Sequence, residues 1–211
     1  MNVLGIFLFI MCIIAPWGLE QLVYSRYVGN PDAVQHRKTA KVVRGYGVAY
    51  TWDAAHFLVL VAAGFRFIGS QQPLSIWEWI GYLLFPLGVA IRIWALRELG
   101  VYYDAQVSVQ PQHAVITSGP YHIMRHPLHF GTTTQILGLA FLAPIWLGLP
   151  AALSAIVLTL YIDRFEDLVL LREIGPTYER YYVRTWDIVD MVVRKRPPTL
   201  TPAANQTSEE K

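Results

Sequence analysis

Charge and sulfur are what this sequence has least of. Only 15% of its 211 residues are charged against 54% hydrophobic, more apolar than a soluble domain of this length needs to be. The single cysteine, Cys12, excludes an internal disulfide and a cysteine zinc site, and inside the first apolar run it reads as packing. A net charge of +2 makes no case for nucleic-acid binding; the basic residues read as topology signals and contacts to lipid headgroups. Charge is absent altogether from Met1 to Leu19. That stretch also lacks a positive leading segment and a small-residue cleavage site, so it reads as a retained span rather than a signal peptide.

What is there is a series of long apolar runs. With amphipathic ends included, five reach the roughly 20 residues that cross a bilayer, at about 3–24, 46–68, 75–97, 128–147 and 149–168. The fold expected is all-α and membrane-embedded, with about five transmembrane helices. Pro127 suits a first helical turn, and Pro144 and Pro150 bracket a turn, so spans four and five form a helical hairpin followed by a cytoplasmic C-terminal helix. Lysine and arginine collect on the cytoplasmic side of membrane proteins. In the five-span arrangement fifteen of the seventeen fall on one side, and the opposite connections "GSQQPLS" and "APIWLGLP" contain none. The N-terminus is therefore expected outside and the C-terminus in the cytoplasm. Trp77, Trp79 and Trp146 fit an interfacial aromatic belt.

No internal repeat is visible. Residues 1–98 read as N-terminal anchoring spans, 99–193 as a core where polar and special residues concentrate, and 194–211, basic and then proline-rich and polar, as a disordered tail. Asn205-Gln206-Thr207 has the form of a glycosylation acceptor but falls on the expected inner side.

Candidate chemistry lies in two stretches. "GPYHIMRHPLHFG", Gly119 to Gly131, packs His122, Arg125, His126 and His129 at the mouth of an apolar run. The spacing of its histidines resembles the boxes of membrane di-iron enzymes, but His36, His56 and His113 stand alone and Pro127 breaks the group, so no metal is expected. "EDLVLLREIGPTYERYY" sets Glu166 and Asp167 at the emerging end of span five, followed by a glycine stop and spaced tyrosines. As a purely structural alternative, Arg164, Arg172 and Arg180 would pair with these acids along a surface helix, which leaves the histidine loop unexplained. In span two, Asp53 and His56 share a helix face and read as a local pair away from this site, and Arg92 reads as snorkelling to the interface.

Together the two stretches resemble the isoprenylcysteine carboxyl methyltransferase family and its phospholipid methyltransferase relatives. That family shows G-P-Y, R-H-P-x-Y-x-G and, after a helical hairpin, E-E-x-x-L-x-x-x-F-G-x-x-Y-x-x-Y. The counterparts here are Gly119-Pro120-Tyr121, Arg125-His126-Pro127 with Gly131, and Glu166, Leu170, Ile174, Gly175, Tyr178 and Tyr181. The resemblance covers roughly the C-terminal half. It implies an S-adenosylmethionine site at the cytoplasmic ends of the last two spans, held by Gln106, by His113-Ala114-Val115-Ile116, by Tyr121, by His126-Pro127-Leu128-His129 and by Glu166. A multi-pass location in a bacterial plasma membrane, with membrane lipids as neighbours, is the expected setting.

Three positions depart from the family pattern: His129 stands for the tyrosine of R-H-P-x-Y, Asp167 for the second glutamate, and Ile162 for an arginine that binds a substrate carboxylate. The acceptor thus stays open among an isoprenylcysteine-like carboxylate, a phospholipid amine, a quinol or phenol, and a thiol, in every case lipidic or hydrophobic. Protic acceptors need a base, for which His129 or Asp167 is the candidate. Arg164 would substitute for the missing arginine only if the helix turned differently, and Glu166 completes the catalytic set. Two rivals remain, an NADPH-dependent sterol or steroid reductase, whose R-H-P segment reads R-H-P-N-Y, and a silent membrane scaffold.

Overall fold

The computed structural model describes residues 3–44, 54, 56–64, 73–104, 107–109 and 115–192. The chain opens with α1, Val3–Val28, in which a π-helical segment at Ile10–Ile14 precedes Pro16. The proline removes an N–H and crowds the carbonyl four residues back, and the wider turn absorbs that clash. There follow α2 (Pro31–Thr39), β1 (Lys41–Arg44), α3 (56–64), α4 (Ile76–Leu99), β2 (Val107–Val109), a 3-10 turn at Gly119–His122, α5 (Pro127–Leu142), α6 (Ile145–Ile174), α7 (Pro176–Arg184) and α8 (Ile188–Val192). The all-α expectation holds but for one antiparallel ribbon, in which Lys41 pairs with Val109 and Arg44 with Val107.

Helix starts and stops follow local chemistry. At the head of α4 the Ser75 backbone N–H donates to Glu78 Oε2 at 2.6 Å and the Ser75 hydroxyl at 2.9 Å, and the Glu78 backbone N–H returns to the Ser75 side chain, a capping box. At the foot of α6, Gly175 adopts φ +68°, which a side chain would resist, and Pro176 starts α7 at once in the first-turn position it favours.

Three helices are long and apolar enough to cross a membrane among the described residues: Val3–Val28, Ile76–Tyr102 and Ile145–Ile174. The expected fourth span is the 16-residue α5, shorter than a full crossing, and much of the expected second span, 46–68, lies outside the described residues, as do Asp53 and the tail after 192. Helix directions follow from side-chain contacts. The Tyr82 hydroxyl donates to the Gly5 carbonyl near the starts of α4 and α1, while Arg92 and Glu20 meet near their ends, so the two helices run parallel. Trp77 stacks on Phe141 at 5.8 Å, so α5 runs back against α4, and α6 returns. Trp77, Trp79 and Trp146 are all exposed at that end.

One core joins α1, α3, α4 and α5 through Ile13, Val59, Phe85, Val89 and Leu139. The α4–α5 contact is close because glycines face each other: a Cβ on Gly88 would lie 2.6 Å from the Gly131 carbonyl oxygen, and one on Gly81 2.7 Å from that of Gly138. Without a strong hydrophobic drive between helices in lipid, such small-residue seams let backbones pack. Gly88→Val is therefore expected to lose about 1–3 kcal/mol of stability by overpacking, while Gly18→Ala, where an added Cβ meets nothing within 4 Å, loses none; thermal melts of both in detergent check this.

Candidate active site

The site lies where the N-terminal end of α5 meets the C-terminal end of α6. Its centre is Asp167, whose side chain is fully buried together with that of Arg125. Asp167 Oδ2 accepts from Arg125 Nε at 3.2 Å. Its Oδ1 accepts from His126 Nε2 at 3.0 Å and from the Tyr178 hydroxyl at 2.7 Å. Arg125 continues outward, forking onto Asp190 at 2.9 and 3.0 Å, donating to the Thr185 carbonyl at 2.9 Å, and lying 4.2 Å from the centre of the Tyr182 ring. Such a planar fork binds a carboxylate through two donors at once.

The loop itself is clamped on its other side. Met124 bridges Trp186, with the Arg125 N–H on the Trp186 carbonyl at 3.0 Å, and the Tyr181 hydroxyl donates to the Tyr121 carbonyl at 2.8 Å. The spaced tyrosines of α7 thus hold the loop and the acidic pair together. Tyr121 is itself buried at 7% exposure, and burial raises its phenol well above the usual range, so it is a neutral aromatic.

His126 Nδ1 lies 3.5 Å from Glu166 Oε2, and Glu166 keeps 29% of its side chain exposed, unlike Asp167. Burial by itself would lower the His126 pKa, but the charges of Asp167, Asp163 and Asp187 outweigh it and hold His126 protonated well above its usual value. Burial pushes Asp187 up to about 6. His129 stacks on His126 at 5.7 Å with 14° between planes, and its Nδ1 bonds to the buried Asp163. Arg164 Nη1 donates to the Tyr182 hydroxyl at 3.3 Å. Ile162 is buried against Ile136 and Ala155, so the position matching the family arginine belongs to the core between α5 and α6.

Of the cofactor residues that the motifs single out, Tyr121, His126 and Glu166 come together in this cluster and Pro127, Leu128 and His129 continue it into α5. Val115 packs with Ile174 beside Leu171 and Tyr178, and Ile116 is half-buried in the same segment. Gln106, His113 and Ala114 lie outside the described residues. His126, His129 and Asp163 bring one ligand atom each within 4.8 Å of one another, a grouping with the reach to hold a metal ion, and the near-parallel imidazoles are hydrogen-bonded to Asp167 and Asp163.

A cavity of about 400 Å³ opens beside His129, lined by residues of α1, α3, α4 and α5. Arg92 lines it and bonds to Glu20 of α1, to the Thr132 hydroxyl and to the Leu128 carbonyl, while Gln135 Nε2 donates to Glu20 at 2.6 Å. Arg92 does not snorkel, and His56 does not sit apart: it lines the same cavity as His129. Sequence reasoning missed Glu20 and Asp163. The signals were present, since Glu20 is the first charge in the apolar first span and Asp163 stands four residues before Asp167 on one helix face.

The phospholipid methyltransferase family profile matches residues 76–175. The chain is 30% identical over 127 residues to the uncharacterized protein YpbQ of Bacillus subtilis (strain 168), covering 59% of this chain and 73% of that protein. It is 31% identical to phosphatidylethanolamine N-methyltransferase B of Dictyostelium discoideum over 39% of this chain and 46% of that protein. It is 27% identical to the protein-S-isoprenylcysteine O-methyltransferase of the same organism over 57% of this chain and 52% of that protein. It therefore spans about half the length of these two methyltransferases.

Because the folded pKa of His126 is raised above its unfolded value of 6.5, its contribution to stability is complete below about pH 6.5 and lost as pH rises through the folded value. Thermal stability measured from pH 6 to pH 10 is expected to fall toward the alkaline end, with a shallower fall in His126→Gln. Asp167→Asn, which leaves Arg125 and His126 facing a neutral amide, is expected to lose about 3–5 kcal/mol.

Proposed function

Because the chain belongs to the phospholipid methyltransferase family, we propose that it is a membrane-embedded, S-adenosylmethionine-dependent methyltransferase acting on a lipidic or small hydrophobic acceptor. One observation carries this reading: two motifs forty residues apart in sequence meet around His126, leaving Glu166 partly exposed while its neighbour Asp167 is sealed.

The donor set suits such a cofactor. Glu166 is a charged acceptor for amino or hydroxyl groups, Tyr121 is a neutral aromatic for an adenine face, and the carboxylates of Asp163, Glu166, Asp167 and Asp187 around His126 favour a cation. Gln106 and His113-Ala114-Val115-Ile116 complete the pocket by the family pattern, with Pro127 and Leu128 as its floor. The cofactor supplies an electrophilic methyl group on a sulfonium. The protein's part is alignment in a dry site, which lowers the barrier without a covalent intermediate.

Within this reading Asp167 anchors the loop, since its oxygens already accept from three donors, and Arg164 braces Tyr182. His129, polarised by Asp163, is the group suited to take a proton from the acceptor. The five-span arrangement with the C-terminus inside brings the cofactor from the cytosol and the acceptor from the lipid. The names of the two Dictyostelium relatives point to a phospholipid amine and an isoprenylcysteine carboxylate as acceptor classes to compare.

Calorimetric titration of the detergent-purified protein with S-adenosylhomocysteine is expected to show saturable binding, weakened about tenfold or more, roughly 1.4 kcal/mol, by Glu166→Ala. A flat titration for the wild-type protein would sink the methyltransferase reading.

A further inference from the structure

We propose that the cavity between α1, α3, α4 and α5 is the acceptor site, and that it takes an uncharged, hydroxyl-bearing aromatic head of the phenol class. This rests on the methyltransferase reading and narrows its acceptor.

One hydrogen bond beside the cavity is left unmade. His56 Nε2 is buried and has no hydrogen-bond partner among the described residues, while its ring is held edge-on to Phe85 at 6.1 Å and lines the cavity. A buried polar atom left without a partner costs about 1–3 kcal/mol, a cost that a ligand hydroxyl or carbonyl would relieve.

Charge selects against an anionic head. The charged side chains lining the cavity are Glu20, Asp104 and Arg92, two carboxylates to one guanidinium. Arg92 is engaged by Glu20, Thr132 and Leu128, and Glu20 also accepts from Gln135. A carboxylate or phosphate entering here would compete with Glu20 for Arg92 and face Asp104 as well, and burying it without a matched cation is costly. Ile162 removes the remaining family route to a carboxylate. An uncharged head requires only hydrogen bonds.

Size and walls set the rest of the class. A volume of about 400 Å³ is at the small end of ligand pockets, roughly 300–1,000 Å³, enough for a ring with a short substituent. Trp17, Tyr24, Phe57 and Tyr103 line it, flat faces that suit an aromatic ring in offset or edge contact.

His129 connects this cavity to the cofactor loop, lining the one and stacking on His126 of the other. With Asp163 accepting from Nδ1–H, His129 presents Nε2 as a proton acceptor. In the reaction the phenol O–H proton passes to His129 Nε2 and the O–H bonding pair stays on oxygen. With the cofactor bound, that oxygen would form the new bond to its methyl carbon and the carbon–sulfur pair would stay on sulfur. The imidazolium is balanced by Asp163, which acts as a positioning residue.

The test titrates the full-length protein in detergent, with S-adenosylhomocysteine present, against p-nitrophenol, whose colour separates phenol from phenolate. The carboxylate of the same ring, p-nitrobenzoate, serves as competitor. Saturable p-nitrophenol binding is expected, with p-nitrobenzoate at least about tenfold weaker. His56→Leu should weaken p-nitrophenol about tenfold without lowering the melting temperature and with S-adenosylhomocysteine affinity unchanged. His129→Gln and Asp163→Asn should both raise the pH at which the bound probe ionises. Equal or tighter p-nitrobenzoate binding overturns the proposal, as does p-nitrophenol binding that is insensitive to His56→Leu, or absent in a protein that binds S-adenosylhomocysteine. Failure to bind S-adenosylhomocysteine at all would instead overturn the methyltransferase reading beneath it.

Discussion

The buried carboxylate of Asp167 is the constraint on which the rest of the site depends. A charge with no exposed side-chain surface survives only if its lone pairs are filled, and here a guanidinium, an imidazolium and a phenol fill them. The donors come from two separate stretches: Arg125 and His126 from the loop before α5, Tyr178 from α7. Arg125 extends the network to Asp190 on α8. Four stretches of chain are therefore tied to one atom group, and losing any partner leaves a buried charge unmatched. Glu166, one residue away on α6, inherits a fixed position from this anchor while staying partly exposed.

A second polar network, built on Glu20 and Arg92, solves the same problem higher in the bundle. Its existence depends on the close approach of α4 and α5, because an added Cβ on Gly131 would lie 2.6 Å from Arg92 Cγ. The family-motif glycine is thus a packing residue whose consequence is electrostatic: it lets Arg92 reach Thr132 and Leu128 across the seam. Between the two networks stand His126 and His129, parallel rings one turn apart, each held by its own aspartate. The histidine loop and the cavity within the bundle are in this way mechanically continuous.

Much of this was legible in the residues themselves. Apolar run length predicted the long helices because a bilayer fixes the length that spans it, and Pro127, Gly175 and Pro176 mark helix ends through backbone geometry that needs no neighbour. The convergence of His126 with Glu166 was foreseeable from the hairpin, although its turn is tighter than expected: α6 starts at Ile145, directly after Pro144, and takes Pro150 inside the helix. The ribbon between β1 and β2 was not, since four residues against three carry no periodicity to read.

What the sequence could not convey is which polar groups in the apolar runs meet. Glu20, His56, Arg92, Gln135 and Asp163 are scattered over 144 positions, and their partners are set by helix rotation and by the depth at which α1 and α3 dock on the α4–α5 seam. His56 and Arg92 read locally as a helix-face pair and a snorkelling cation; the packed bundle turns both into one cavity. Spans, caps and motif spacing are determined by short-range geometry and by transfer to lipid, which each segment feels by itself. The pairing of buried charges is decided only when the helices assemble, because the energy of a buried ion resides in a contact and no single segment contains it.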